Sequence, residues 1–183
     1  RRLPVIFPET QFSDNAPIRP PRPNHRKEHS IVYECHVRGM TRSPSCTFTD
    51  SSFSGTYRGL VDCIPYIKSL GVTAIELLPV FDFDENETLY SNSKQRQSLL
   101  NYWGYSPLLF FAPKQNYSAD VQDSVQEFKS MVDEFHQAGL EIWLDVVFNH
   151  TAEFGADGPV DHLKSLAVEQ WYLLENDGNY LNF

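Results

Sequence analysis

The sequence predicts an α/β protein built on a parallel sheet. Three short runs rich in β-branched and aromatic residues, at 31–37 (IVYECHV), 72–80 (VTAIELLPV) and 140–148 (LEIWLDVVF), read as strands. A helix-periodic stretch lies between each successive pair, and Gly71 and Gly139 stand where those helices would close. Strands alternating with helices through right-handed crossovers become parallel neighbours with the helices outside. The 183 residues, 41% hydrophobic and 14% aromatic, suffice for one packed domain.

Residues 1–29 hold six of the twelve prolines (Pro4, Pro8, Pro17, Pro20, Pro21 and Pro23), which predicts an extended segment without regular structure. It reads as a linker strap that joins something upstream to a domain over 30–183, with a proline-rich peptide ligand as the weaker alternative. The first strand is stopped by Arg38-Gly39, His36 within it is given a structural role, and 41–54 is read as a polar surface loop. Over 57–70 the apolar residues Leu60, Ile64, Ile67 and Leu70 share a helical face, and Pro65 predicts a kink or restart. The second strand is apolar except for Glu76, and 81–100 is read as a long polar loop.

The stretch 101–107 (NYWGYSP) gathers three aromatics around Gly104. It is either an aromatic turn packed on the core or a platform for a sugar face, and the residues alone favour neither. Ser124 and Glu127 form a capping-box pattern, opening a helix in which Val125, Phe128, Val132 and Phe135 share a face. From 142 to 148 every residue is apolar except Asp145, a pattern that suits a strand covered on both faces. Asp145 then either satisfies a neighbouring backbone donor or belongs to a site at the strand end, where Asn149 and His150 follow. A short helix over 161–175 and a turn at Asp177-Gly178 complete the reading.

A net charge of -9 and a pI near 5.0 argue against nucleic acid or an anionic membrane as partner and favour a neutral polar ligand. Cys35, Cys46 and Cys63 form no CxxC or zinc-ligand spacing, so they read as reduced, mostly buried thiols of a cytoplasmic protein, with no metal site and no cofactor implied. No run is apolar for long enough to span a bilayer. The chain begins without methionine, which reads as a fragment or processed product.

Several motifs then agree in order. DVVFNH at 145–150 resembles the first conserved motif of the α-amylase family of glycoside hydrolases, at the end of the third barrel strand. IVYECHVRGMT, GTYRGLVDCIPYIKSLGVTAIELLPV and NYWGYSPLLFFAP resemble the opening strands and loop of the same barrel in the debranching-enzyme and isoamylase-like branch. The likeness covers residue 30 onward. It implies the first three β-strands, with their helices, of a partial (β/α)8 TIM barrel, a complete one needing about 250 residues.

The resemblance also implies roles. Tyr105 corresponds to the aromatic that stacks on the sugar beside the scissile bond and His150 to the histidine that hydrogen-bonds that sugar. Trp103, near the site, stands where true α-amylases often have histidine, a departure that favours the debranching branch. Asp145 corresponds to the motif's organising aspartate. Asn149 corresponds to a position that in some relatives helps hold calcium and otherwise braces the loop; calcium itself is not carried over, since its other ligands are not identifiable.

Retaining glycosidases need a nucleophile and an acid/base carboxylate, and Asp82, Asp84 and Glu153 match neither motif. Both groups are therefore expected beyond Phe183. The implied parent enzyme hydrolyses α-1,6 branch linkages in glycogen or limit dextrin, while the 183 residues alone are inactive. A glucan branching transferase and a non-catalytic carbohydrate-binding module are the alternatives.

Overall fold

The computed structural model of the chain describes residues 19–87 and 100–181. They fall into two compact units, one taking in 19–76 and 115–143 and the other 77–87, 100–114 and 144–181. A three-stranded sheet has the order β1 (Val32–Cys35), β2 (Ala74–Leu77) and β5 (Glu141–Leu144). The Glu141 N–H donates to the Thr73 carbonyl and the Asp145 N–H to the Leu77 carbonyl, each at 2.9 Å. Both partners advance by four residues together, which makes the pairing parallel, as the alternation of elements predicts.

In the first unit the chain from 19 to 29 is irregular apart from a single 3-10 turn at Lys27–His29, where the sequence predicts no regular structure; residues 1–18 lie outside the described residues. The His25 N–H donates to Glu141 at 2.8 Å, and the Trp143 indole N–H donates to the other oxygen of that carboxylate at 2.8 Å. Glu141 is buried, and these bonds, Trp143's first, hold its carboxyl below the usual range.

After β1 the chain does not enter the predicted loop directly. His36 caps a short helix, α1 (Val37–Arg42), its Nδ1 accepting from the Gly39 N–H at 3.1 Å. With Nδ1 an acceptor, Nε2 carries the proton and faces the Tyr117 hydroxyl at 3.1 Å, so the buried His36 is structural, as expected. The predicted helix over 57–70 is two helices, α2 (Tyr57–Val61) and α3 (Ile64–Ser69). Pro65 falls in the first turn of α3, where a missing N–H costs nothing, and the chain breaks just before it. Gly71 follows with φ +74°, a conformation glycine adopts without strain.

The helix expected after residue 124 is α4 (Ser124–Gln137), with Met131 and Phe135 deepest in the core. Its capping box does not form. Ser124 is already helical, and Glu127 instead accepts from the backbone N–H groups of Arg58 at 3.0 Å and Ala119 at 2.8 Å. The glutamate serves tertiary partners because they present N–H groups that have no other acceptor. Tyr57, Leu60, Cys63, Ile67 and Ile75 complete this core. Cys35, Cys46 and Cys63 are free thiols, and burial pushes Cys35 and Cys63 up to about 12, which keeps both unreactive.

The second unit contains a hairpin that the sequence reading missed. Residues 81–87 are not simply the start of a long loop: β3 (Phe81–Phe83) pairs antiparallel with β4 (Pro107–Pro113), while 88–99 of the expected loop lie outside the described residues. A three-residue strand paired with one more than twenty residues later leaves no hairpin signature, and prolines at both ends of β4 disguise it further. The expectation that 142–148 is covered on both faces is also not met. Leu144 and Val146 are exposed and Phe148 is 60% exposed. β5 ends the strand order, so among the described residues no strand lies beyond it to cover that side. α5 (Lys164–Trp171), broken at Ala167, falls in the predicted 161–175 window. Beyond it Leu174 and Tyr180 bridge across the Asp177-Gly178 turn.

A Cβ on Gly59 would stand 2.2 Å from the Phe53 carbonyl oxygen, a backbone atom that cannot swing aside. The Gly59→Ala substitution, which in an open helix gains roughly 0.5–1 kcal/mol, is therefore expected to destabilise by about 2–3 kcal/mol here. Gly155→Ala, with nothing within 4 Å of its Cβ, is the control and should shift stability by less than about 0.5 kcal/mol. Urea unfolding of the two variants checks both values; equal midpoints would contradict the packing described.

Candidate functional site

The site is built on the second unit and starts from the loop at 101–107. Asn101 accepts the Gly104 N–H on its side-chain oxygen at 3.2 Å, and Gly104 has φ +81°. The position needs glycine twice over, because a Cβ there would lie 2.7 Å from the Phe83 ring. Phe83 is in turn held from below. The Lys114 ammonium, 1% exposed, donates to the Phe83 carbonyl at 2.6 Å and lies 4.3 Å from the centre of its ring. Asp82 at 3.4 Å and Glu85 at 3.5 Å neutralise that buried charge. The chain of contacts from Lys114 through Phe83 to Gly104 gives the aromatic loop a rigid base.

On that base stands Tyr105. Its hydroxyl donates to Asp145 Oδ2 at 2.5 Å, and its carbonyl accepts from His150 Nε2 at 2.7 Å. A carbonyl can only accept, so Nε2 carries the proton and Nδ1 is the ring nitrogen outside that bond. Asp145 is fixed by the rung its own N–H makes with Leu77. Tyr105 is thereby held at its hydroxyl and at its carbonyl while the residue remains 40% exposed. The Asp145 side chain engages Tyr105, and Tyr102, Trp103 and Tyr105 of the aromatic turn are each exposed.

Of the five residues singled out, the structure brings Tyr105, Asp145 and His150 into one bonded cluster. Trp103 stands beside it, 56% exposed and edge-on to Tyr102 at 5.4 Å. Asn149 is exposed next to His150, with no bond to the three. The cluster itself holds one carboxylate, already engaged by a phenol, and so is equipped for recognition and positioning more than for proton transfer. Among the described residues no group of three His, Cys, Asp or Glu side chains could hold a metal ion.

The segment after His150 is anchored by Glu153, which sequence reasoning noted only as a carboxylate without a motif. It is 1% exposed and accepts from the backbone N–H groups of Asp161 at 2.9 Å, His162 at 2.6 Å and Lys164 at 2.9 Å, and from the Tyr172 hydroxyl. Burial pushes its carboxyl up, and the Tyr172 and backbone bonds together outweigh that, holding it below the ordinary range. Lys164 adds bonds to the carbonyls of Gly155, Ala156 and Gly158 at 2.8–2.9 Å. Nothing local in the sequence signals this knot, since its donors come from a loop whose conformation the carboxylate itself selects.

Comparison with known proteins gives the family. Residues 41–179 match the model of the alpha amylase catalytic domain, so the chain belongs to that family. It is 36% identical to a glycogen debranching enzyme of Escherichia fergusonii, over 98% of this chain and 26% of that protein. It is 38% identical to the chloroplastic isoamylase SU1 of Zea mays, over 99% of this chain and 22% of the relative. The structure of a type I pullulanase from Bacillus subtilis complexed with maltose superposes with a TM-score of 0.66 at 28% identity, covering 90% of this chain and 23% of the pullulanase. The chain thus spans about a quarter of the length of the curated relatives it matches.

Glu153→Gln removes the charge that four donors share and turns an amide N–H₂ toward them, for an expected loss on the order of 2–3 kcal/mol at neutral pH. The folded pKa lies below the unfolded value of about 4.3. The contribution of the wild-type carboxylate is therefore complete above that value and is lost as pH falls through the folded pKa. Denaturant unfolding of wild type and variant across the acid range should show the gap between them narrowing as pH drops; a gap that stays constant would contradict the assignment.

Proposed function

We propose that the protein to which this chain belongs hydrolyses α-1,6-glucosidic branch linkages in glycogen or related α-glucans by a retaining mechanism. The observation that supports the reading is Tyr105, exposed and pinned at its hydroxyl by Asp145 and at its carbonyl by His150. Family membership and relatives that bear the names of debranching enzyme, isoamylase and pullulanase support an α-glucan as the ligand. The parallel sheet is assigned as the first three strands of a (β/α)8 barrel, and residues 1–29 as the strap that leads into it.

Within that assignment Tyr105 stacks on the sugar next to the scissile bond, His150 offers Nδ1 to a sugar hydroxyl, and Trp103 extends the platform. Asp145 and Asn149 organise the loop ends. The nucleophile and the acid/base group are assigned to segments outside these 183 residues, because Asp82, Asp84, Asp145 and Glu153 match neither motif. The protein is assigned to the cytoplasm on its three free cysteines, two of them buried. Among the described residues no helix is long and apolar enough to cross a membrane.

Incubation of the full-length polypeptide with branched limit dextrin should release reducing ends and lower the number of branch points; a gain of branches would identify a transferase instead. The isolated 183 residues should show no turnover. Tyr105→Ala in the full-length protein should lower kcat/KM by roughly 10- to 100-fold, the value of one stacked ring and its anchoring bonds. Wild-type kinetics in that variant would remove Tyr105 from the site.

A further inference from the structure

We propose that Glu87 is a positioning residue for the glucan-binding loop, its carboxylate and the Ser106 hydroxyl forming a clasp that keeps Tyr105 in place. The inference rests on the function proposed above and deepens it. One turn, residues 84–87, holds the aromatic loop at both ends. The Asn101 N–H donates to the Glu85 carbonyl at 2.7 Å where the loop begins, and the Ser106 hydroxyl donates to Glu87 Oε1 at 2.8 Å where it ends. The turn is itself fixed, since Asp84 accepts from the Glu87 N–H at 3.2 Å through its carbonyl and from the Asn86 N–H at 2.9 Å through its carboxylate.

The first fastening is backbone to backbone and needs no particular side chain. The second depends on the residue types at 87 and 106. Ser106 directly follows Tyr105, so the peptide between them is gripped from two directions, its carbonyl by His150 and its next side chain by Glu87. Loss of the Glu87 grip frees the peptide on one side and lets the ring of Tyr105 pivot about its bond to Asp145.

The other carboxylate oxygen indicates that this grip is not there for stability alone. Oε2 of Glu87 is buried and has no hydrogen-bond partner among the described residues. A buried acceptor left unpaired costs free energy, and such costs are tolerated mainly where function requires the group. Burial accordingly pushes the Glu87 carboxyl up, with the Ser106 bond opposing, Asp84 adding and His150 opposing.

The test uses the full-length polypeptide with Glu87→Ala, Ser106→Ala, the double variant and Glu87→Gln, assayed on limit dextrin with unfolding midpoints measured alongside. Each alanine variant should lower kcat/KM about tenfold, mostly through KM. A smaller folded fraction would lower kcat instead. The double variant should be no worse than either single, because the pair acts as one unit. Glu87→Gln keeps an acceptor oxygen for Ser106 and should recover most of the loss seen in Glu87→Ala. Losses that add, single variants with wild-type KM, or a Gln variant as damaged as the Ala variant would each overturn the clasp. Should Glu87→Ala fail to fold, Ser106→Ala, which removes one hydroxyl, decides. A wild-type protein without turnover would overturn the hydrolase reading and not the clasp, which the same cycle measured on maltotetraose affinity then judges; absence of both turnover and binding overturns both.

Discussion

The hydrogen bond from the Asp145 N–H to the Leu77 carbonyl, a rung of the parallel ladder between β2 and β5, is the constraint on which the site depends. A parallel ladder fixes register along its whole length, because a slip by one residue would exchange the faces of every side chain. The same register sets Glu141 opposite Thr73 and Asp145 opposite Leu77. It therefore decides that the carboxylate emerges where β5 gives way to loop. Tyr105 reaches Asp145 only because that point is fixed, and His150 reaches the Tyr105 carbonyl because only four residues of chain separate it from the same anchor.

Around this cluster the protein keeps two charges almost out of water, and it satisfies them in different ways. The Lys114 ammonium is surrounded by a carbonyl, two carboxylates and a ring face, all from residues 82–85. The Glu153 carboxylate is surrounded by backbone N–H groups and a phenol from residues 161–172. Each charge would cost several kcal/mol if left unpaired, so each forces its neighbours into one conformation. Lys114 thereby sets the floor beneath Gly104, and Glu153 sets the path of the chain after His150. The loop that carries Tyr105 lies between these two anchored segments.

Much of this was legible from residue order. The three strands, the helices between them and the break before Pro65 all follow from periodicity and from what proline and glycine permit locally. Tyr105, Asp145 and His150 were singled out through motif resemblance, and the fold bonds the three together. The β3–β4 hairpin was not legible, since its short arms meet across a separation that carries no turn signal. Glu127 shows how a local rule yields to tertiary demand: the capping box is intact as a pattern, yet both oxygens serve N–H groups outside the helix. Lys114 and Glu87 were invisible for a related reason, as each matters through partners that only folding brings within reach.

What the sequence determined by itself, then, is the three strands of the parallel sheet and the helices between them, because backbone propensity and apolar spacing act between residues close along the chain. Only the tertiary structure decided which charged groups are buried, which carboxylates grip which loops, and that the end of β5 stays exposed where an apolar run suggests a covered strand. Those outcomes turn on desolvation and on hydrogen-bond geometry between residues tens of positions apart. Neither has any value until the register of the sheet has set the distances.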